Sequence, residues 1–151
     1  MGRSDIRVTI ERSLKTVFDV YTQPDTFSWS DIRSVTWTRG KPWEVDSRLR
    51  IKPRESFGVV VDQVLTHFEP YRRVDFISHF GGVTLLSHVN FKALSQDVTE
   101  IHSQLEFIGT FSRMAGLALG PAIEFGARKF YEELKQECER DGAPTRSGPE
   151  I

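Results

Sequence analysis

Ile6, Val8 and Ile10 alternate with polar residues through the segment Asp5 to Arg12, and a period of two is the signature of a strand with one buried face. The period then lengthens to that of a helix. Leu14, Val17, Phe18 and Tyr21 recur at helical spacing, Ser13 stands where an N-cap is needed, and Pro24 forbids continuation. Asp25 to Asp31, with Phe27 and Trp29, predicts a second brief helix or turn. Alternation resumes after it, predicting strands over Ile32 to Arg39, Arg48 to Glu55, Phe57 to Phe68, Arg73 to Phe80, Val83 to Ala93 and Val98 to Ile108. The links are short and rich in turn formers, among them Gly40-Lys41-Pro42, Glu69-Pro70-Tyr71, Gly81-Gly82 and Ser95-Gln96-Asp97, so the strands follow one another as an antiparallel meander. Beyond Gly109, residues Phe111, Ala115, Ala118, Ala122, Phe125, Phe130, Leu134 and Cys138 recur roughly every three to four positions and predict the apolar face of a long helix. Proline is tolerated in the first turn of a helix, so the longest unbroken piece is placed from Pro121 to just before Gly142.

Pairing across Gly81-Gly82 sets Phe80 against Val83 and sorts the strands into faces. Val74, Phe76, Ser78, Phe80, Val83, Leu85, Ser87, Val89, Phe91, Ile101, Ser103, Leu105 and Phe107 share one face, and Arg73, Asp75, His79, His88, Asn90, Lys92, Glu100, His102, Gln104 and Glu106 share the other. The first must be covered and the second is expected to be wet. The cover long enough to serve is the C-terminal helix. The fold class is therefore α+β, an antiparallel sheet of about seven strands wrapped around a long helix.

The 151 residues, of which 38% are hydrophobic and 27% charged, suit one globular domain over 1–140 with a flexible tail over 141–151. A net charge of -1 supplies no field for nucleic acid or an anionic membrane. Cys138 is the single cysteine, which excludes an intrachain disulfide and a thiolate metal cluster and fits a reducing, cytoplasmic setting. No run approaches the ~18 apolar residues of a membrane span, and no apolar leader is expected at the start. His79, His88 and His102 fall on the wet face and are expected to be silent rather than metal ligands; the facing of His67 depends on whether a bulge interrupts its strand. Arg48, Arg50, Lys52 and Arg54 form the basic outer row of an ordinary half-exposed strand, with Leu49 and Ile51 toward the core. Cys138 is expected to be buried filler.

Three segments carry a resemblance. The run R-S-L-K-T-V-F-D-V-Y-T-Q-P-D-T-F-S-W-S at 12–30, the run V-D-Q-V-L-T-H-F-E-P-Y-R-R-V-D-F at 61–76 and the ending F-Y-E-E-L-K-Q-E-C-E-R resemble, in that order, the START-related, birch-pollen-allergen-like superfamily (SRPBCC), and within it the polyketide cyclase/dehydrase and lipid-transport group. The resemblance implies a helix-grip fold and a cavity between sheet and helix that takes a hydrophobic ligand of lipid, sterol or polyketide type, without a cofactor or metal. The expected ligand-contacting residues are Trp29 and Trp37 at the entrance, Phe76, Ser78, Phe80, Leu85, Ser87, Val89, Ser103 and Leu105 on the sheet, and Ala118, Ala122 and Phe125 on the helix. The alternative the resemblance implies is an aromatase/cyclase that folds and dehydrates a bound poly-ketone chain. That chemistry needs a proton acceptor and an oxyanion donor, for which His67, Tyr21, Arg50 and Gln63 are the available side chains.

Overall fold

The structure is a computed structural model and describes residues 3–23, 32–54 and 60–140. The elements are β1 (Arg3–Ile10), α1 (Leu14–Tyr21), β2 (Ile32–Arg39), β3 (Arg48–Pro53), β4 (Val61–Glu69), β5 (Arg73–Phe80), β6 (Val83–Ser95), β7 (Val98–Phe107) and α2 (Thr110–Glu139). All seven strands form one antiparallel sheet in the order β1-β7-β6-β5-β4-β3-β2. The meander is as the turn chemistry predicts, and the first strand closes onto the last. Ser13 caps α1, its Oγ accepting from the Thr16 N–H at 3.2 Å. Gly81 and Gly82, at φ of 54° and 80°, make the two-residue hairpin that opposes Phe80 to Val83. The segment Asp25 to Asp31 predicted as helix or turn lies outside the described residues, as does the start of the strand predicted from Phe57.

The C-terminal helix differs from expectation in extent and in phase. It begins at Thr110 and runs unbroken through Pro121. Pro121 is on its exposed side, where water can meet the Leu117 carbonyl that the proline leaves without a donor. Its sheet-facing residues are Ser112, Gly116, Ile123, Ala127, Tyr131, Leu134 and Cys138, all buried or half-buried. Before Phe130 the expected stripe holds at Ala115, which packs on the sheet, and is one position out of phase at Phe111, Ala118, Ala122 and Phe125; from Phe130 onward it is in phase. Ala118, Ala122 and Phe125 are consequently exposed, Phe125 by 70%.

The predicted faces hold. Every residue assigned to the inner face of β5, β6 and β7 is buried or half-buried; on the outer face His79 and Lys92 are exposed, the others are half-buried, and Asp75 departs furthest from the expected wetting, only 4% exposed. Arg73 grips Asp75 through Nε at 3.1 Å and Nη2 at 2.7 Å, and His88 Nδ1 lies 3.0 Å from it, so burial of this carboxylate is compensated by pairing. Both ends of α2 are fastened to the sheet. The Thr84 N–H donates to Ser112 Oγ at 2.9 Å near its start, and near its end Lys135 Nζ donates to the Thr9 carbonyl at 2.6 Å and Arg12 Nη2 to the Glu139 carbonyl at 2.7 Å.

Candidate functional site

A line of polar side chains crosses the apolar middle of the concave face, set apart from Thr99 near the start of β7, whose hydroxyl is used on the Arg12 carbonyl. Gln63 on β4 pairs directly with Ser78 on β5 and its Nε2 donates to Ser78 Oγ at 3.0 Å. Ser78 opposes Leu85, two residues from Ser87 on β6, and Ser87 opposes Leu105, two residues from Ser103 on β7. The first step is a direct cross-strand pair, and the next two are to diagonal neighbours, a spacing of roughly 7–8 Å between backbones. The polar line Gln63, Ser78, Ser87, Ser103 thus crosses four adjacent strands.

This line divides the core. On one side lie Leu65, Phe76, Val89, Phe91 and Ile101, packed with α1 and the C-terminal half of α2. On the other lie Val83, Leu85 and Phe107, packed with Phe80, Ala115 and Ile123. Leu105 touches both groups. A diagonal of short polar side chains therefore takes the place where two hydrophobic clusters would otherwise merge.

The helix brings further polarity to the same level. Tyr131 is buried, and its hydroxyl lies beside Ser103; burial pushes that phenol from 10.0 up to about 12, with the Ser103 contact tempering the shift. The two hydroxyls are not in hydrogen-bonding geometry, and Ser103 Oγ is buried without a hydrogen-bond partner. Tyr21, at the end of α1, is buried as well and its phenol is raised well above 10.0, chiefly by loss of water and then by Tyr131. Trp43 stands at the β2 side with φ of 66°, its Nε1 donating to the Thr22 carbonyl at 3.0 Å and its ring 5.1 Å from Trp37 and 6.3 Å from Phe76.

Of the sequence-predicted ligand residues, Phe76, Ser78, Phe80, Leu85, Ser87, Val89, Ser103 and Leu105 share this concave face, and half-buried Trp37 flanks it. Trp29 lies outside the described residues. Ala118, Ala122 and Phe125 are on the outer side of α2, and Phe125 instead lines two grooves of about 480 and 580 Å³ between β1 and the helix, with Arg128 common to both.

The side chains considered for catalysis separate in the same way. Gln63 and Tyr21 are inside. Arg50 is outside, paired with Asp62 at 2.8 Å. His67 is outside because the extra residue Thr66 forms a bulge between the pairs Leu65–Phe76 and His67–Asp75, turning the imidazole to the convex face, where it contacts Glu69. His79 is exposed, His88 meets Asp75, and His102 Nε2 lies 2.9 Å from Asp5. Among the described residues no three His, Cys, Asp or Glu side chains gather as metal ligands, and no helix is long and apolar enough to cross a membrane. Tyr131 is the site residue that sequence reasoning missed, although it shares the face of Leu134 and Cys138 at three- and seven-residue spacing.

No protein-family model and no curated protein matches the chain. Solved structures do. The Zhui aromatase/cyclase from Streptomyces sp. R1128 superposes with a TM-score of 0.73 at 12% identity, over 91% of this chain and 93% of the other. A START superfamily protein from Mycobacterium smegmatis gives 0.65 at 14% identity over 90% and 99%, and truncated norcoclaurine synthase from Thalictrum flavum gives 0.68 at 11% over 89% and 91%. The chain has the START-like helix-grip fold. The three neighbours cover 89–91% of this chain; identities this low speak to the fold and leave the chemistry to the chain's own residues.

Proposed function

We propose that this START-like chain binds an apolar small molecule carrying one or two hydroxyl or carbonyl groups, held between α2 and the polar diagonal of the sheet. The observation that carries this reading is Ser103 Oγ, buried and unpartnered beside the Tyr131 hydroxyl, since an orphaned buried hydroxyl costs about 1–3 kcal/mol unless something meets it. A ligand oxygen reaching Ser103 and Tyr131, with its carbon skeleton against Phe76, Leu85 and Leu105, would satisfy it. The flanking rows are apolar, so affinity would come from buried area and orientation from the diagonal.

Binding is favoured over cyclisation by the ionisation of the site. Aldol closure and dehydration need a group that accepts a proton near neutral pH. Among the described residues the phenols on the concave side, Tyr21 and Tyr131, are pushed upward and therefore remain protonated donors, whereas His67 and Arg50 face outward. The aromatase/cyclase among the structural neighbours keeps the second reading in view, with Tyr131 as the donor to a developing oxyanion.

Native mass spectrometry of the purified protein tests the proposal by detecting a co-purified apolar molecule. Replacing Ser87 and Ser103 together by Leu should displace that molecule and abolish uptake of an environment-sensitive apolar dye, while the melting temperature holds or rises. Undiminished uptake by a folded double variant would move the ligand away from the diagonal.

A further inference from the structure

The half of α2 nearest its start is apolar on two opposite sides. One side packs on the sheet through Ser112, Gly116 and Ile123. The other carries Phe111, Met114, Leu117, Ala118, Pro121, Ala122 and Phe125, all exposed, with Leu119 at its margin. The large members Phe111, Met114, Leu117, Leu119 and Phe125 are 64%, 66%, 69%, 40% and 70% exposed, which for side chains of about 150–250 Å² apiece leaves roughly 500–600 Å² of apolar surface on one helix. That is at the upper end of the largest patch on an ordinary monomer, and with the exposed alanines and proline it approaches the ~800 Å² that each partner gives to a standard interface.

We propose that this face of α2 pairs with the same face of a second copy of the chain, the two helices running antiparallel about a two-fold axis at Ala118. The spacing of the stripe is self-complementary about that point. Position 111 comes opposite 125, and 114 opposite 122, so Phe111 meets Phe125 of the second copy, Met114 meets the small Ala122, and Ala118 meets itself, letting the backbones approach. Charge follows the same symmetry. Arg113 makes no side-chain ion pair among the described residues, and it shares one flank of the stripe with Glu124, whose carboxylate already holds Arg128 at 2.9 Å and has a second oxygen to offer. In an antiparallel pair, like flanks face each other, so Arg113 comes opposite Glu124 of the second copy and the contact is made twice. From 110 to 133 the helix carries three basic residues, Arg113, Arg128 and Lys129, and three acidic ones, Glu124, Glu132 and Glu133. This balance offers an anionic bilayer no net attraction, which favours a protein partner over a membrane surface.

Sedimentation velocity across a concentration series should show a monomer–dimer equilibrium for the full chain. Ala118→Glu sets two carboxylates against each other on the axis and should weaken dimerisation at least tenfold; Ala118 is exposed, so circular dichroism should be unchanged, as should the melting temperature at concentrations where the chain is monomeric. Arg113→Glu and Glu124→Arg should each weaken the dimer, and the double charge reversal should recover most of the loss. Ala118→Cys should cross-link into a disulfide dimer under mild oxidation, since Cys138, the one natural cysteine, is buried. A chain that stays monomeric throughout, a dimer indifferent to Ala118→Glu, or a monomer that co-sediments with phosphatidylglycerol vesicles would each overturn the proposal.

Discussion

Tyr131 places a phenol where ionisation is costly, and the cost has a defined pH window. Below pH 10 the phenol is neutral in the folded and unfolded chains and contributes no pH dependence. Between 10 and about 12 the unfolded chain loses this proton while the folded chain keeps it, so the unfolded state is favoured and stability falls as pH rises. A shift of that size corresponds to about 3 kcal/mol at most. Tyr21, raised for the same reason, acts with the same sign. Replacing Tyr131 by Phe should therefore flatten the loss of denaturant midpoint between pH 10 and 12, leaving the Tyr21 part; an unaltered alkaline profile would mean that Tyr131 is already in contact with water. Trp43 shows the other residue-scale lesson. A bulky side chain at φ of 66° is uncommon, and it is kept there by the Thr22 carbonyl and the rings of Trp37, Phe68 and Phe76.

Among the elements, α2 is where local preference and packing conflict most. Gly116 lies against the sheet, where an added Cβ would come 2.7 Å from Phe107 Cδ2, whereas a Cβ at Gly126 would meet nothing within 4 Å. The same glycine-to-alanine exchange should thus have opposite signs on one helix. Gly126→Ala should stabilise by about 0.5–1 kcal/mol through helix propensity, and Gly116→Ala should destabilise by roughly 1–3 kcal/mol as Phe107 is forced aside. Thermal melts of the two single variants decide this. The strand β4 makes the complementary point: one inserted residue, Thr66, moves His67 from the concave to the convex side, so a single bulge determines which ionisable groups a bound molecule would meet.

For the whole molecule, the sheet is curved over a core that α2 completes, and removing that helix from Gly120 onward withdraws Tyr131, Leu134 and Cys138 from the main cluster together with the Glu139 and Lys135 anchors. Each large buried side chain left without cover forfeits roughly 1.5–3 kcal/mol, and several such losses match the ~5–15 kcal/mol net stability of a domain. The truncated chain should fail to melt cooperatively; a soluble, two-state unfolding product would show that the sheet and α1 suffice. The outer-face network has the opposite character. Its pairs Arg3–Glu106, Arg7–Glu100 and Arg50–Asp62 each include an arginine that is about half exposed, and such solvent-screened pairs contribute little each.

The sequence by itself determined what depends on period and turn chemistry. Strand alternation fixed the concave and convex faces residue by residue from Val74 to Phe107, Gly81-Gly82 fixed the register between β5 and β6, and Ser13 marked the start of α1, because these are local steric and burial rules. Tertiary structure alone decided the phase of α2 before Phe130, where apolar residues occupy both sides of the helix and periodicity cannot say which side meets the sheet. It also decided the burial of Asp75, which requires Arg73 and His88 to converge on it, and the facing of His67, which turns on a bulge. The polar diagonal itself was present in the sequence as isolated serines. Only the stagger of neighbouring strands aligned them, between two cores, beneath a tyrosine from the far end of the chain.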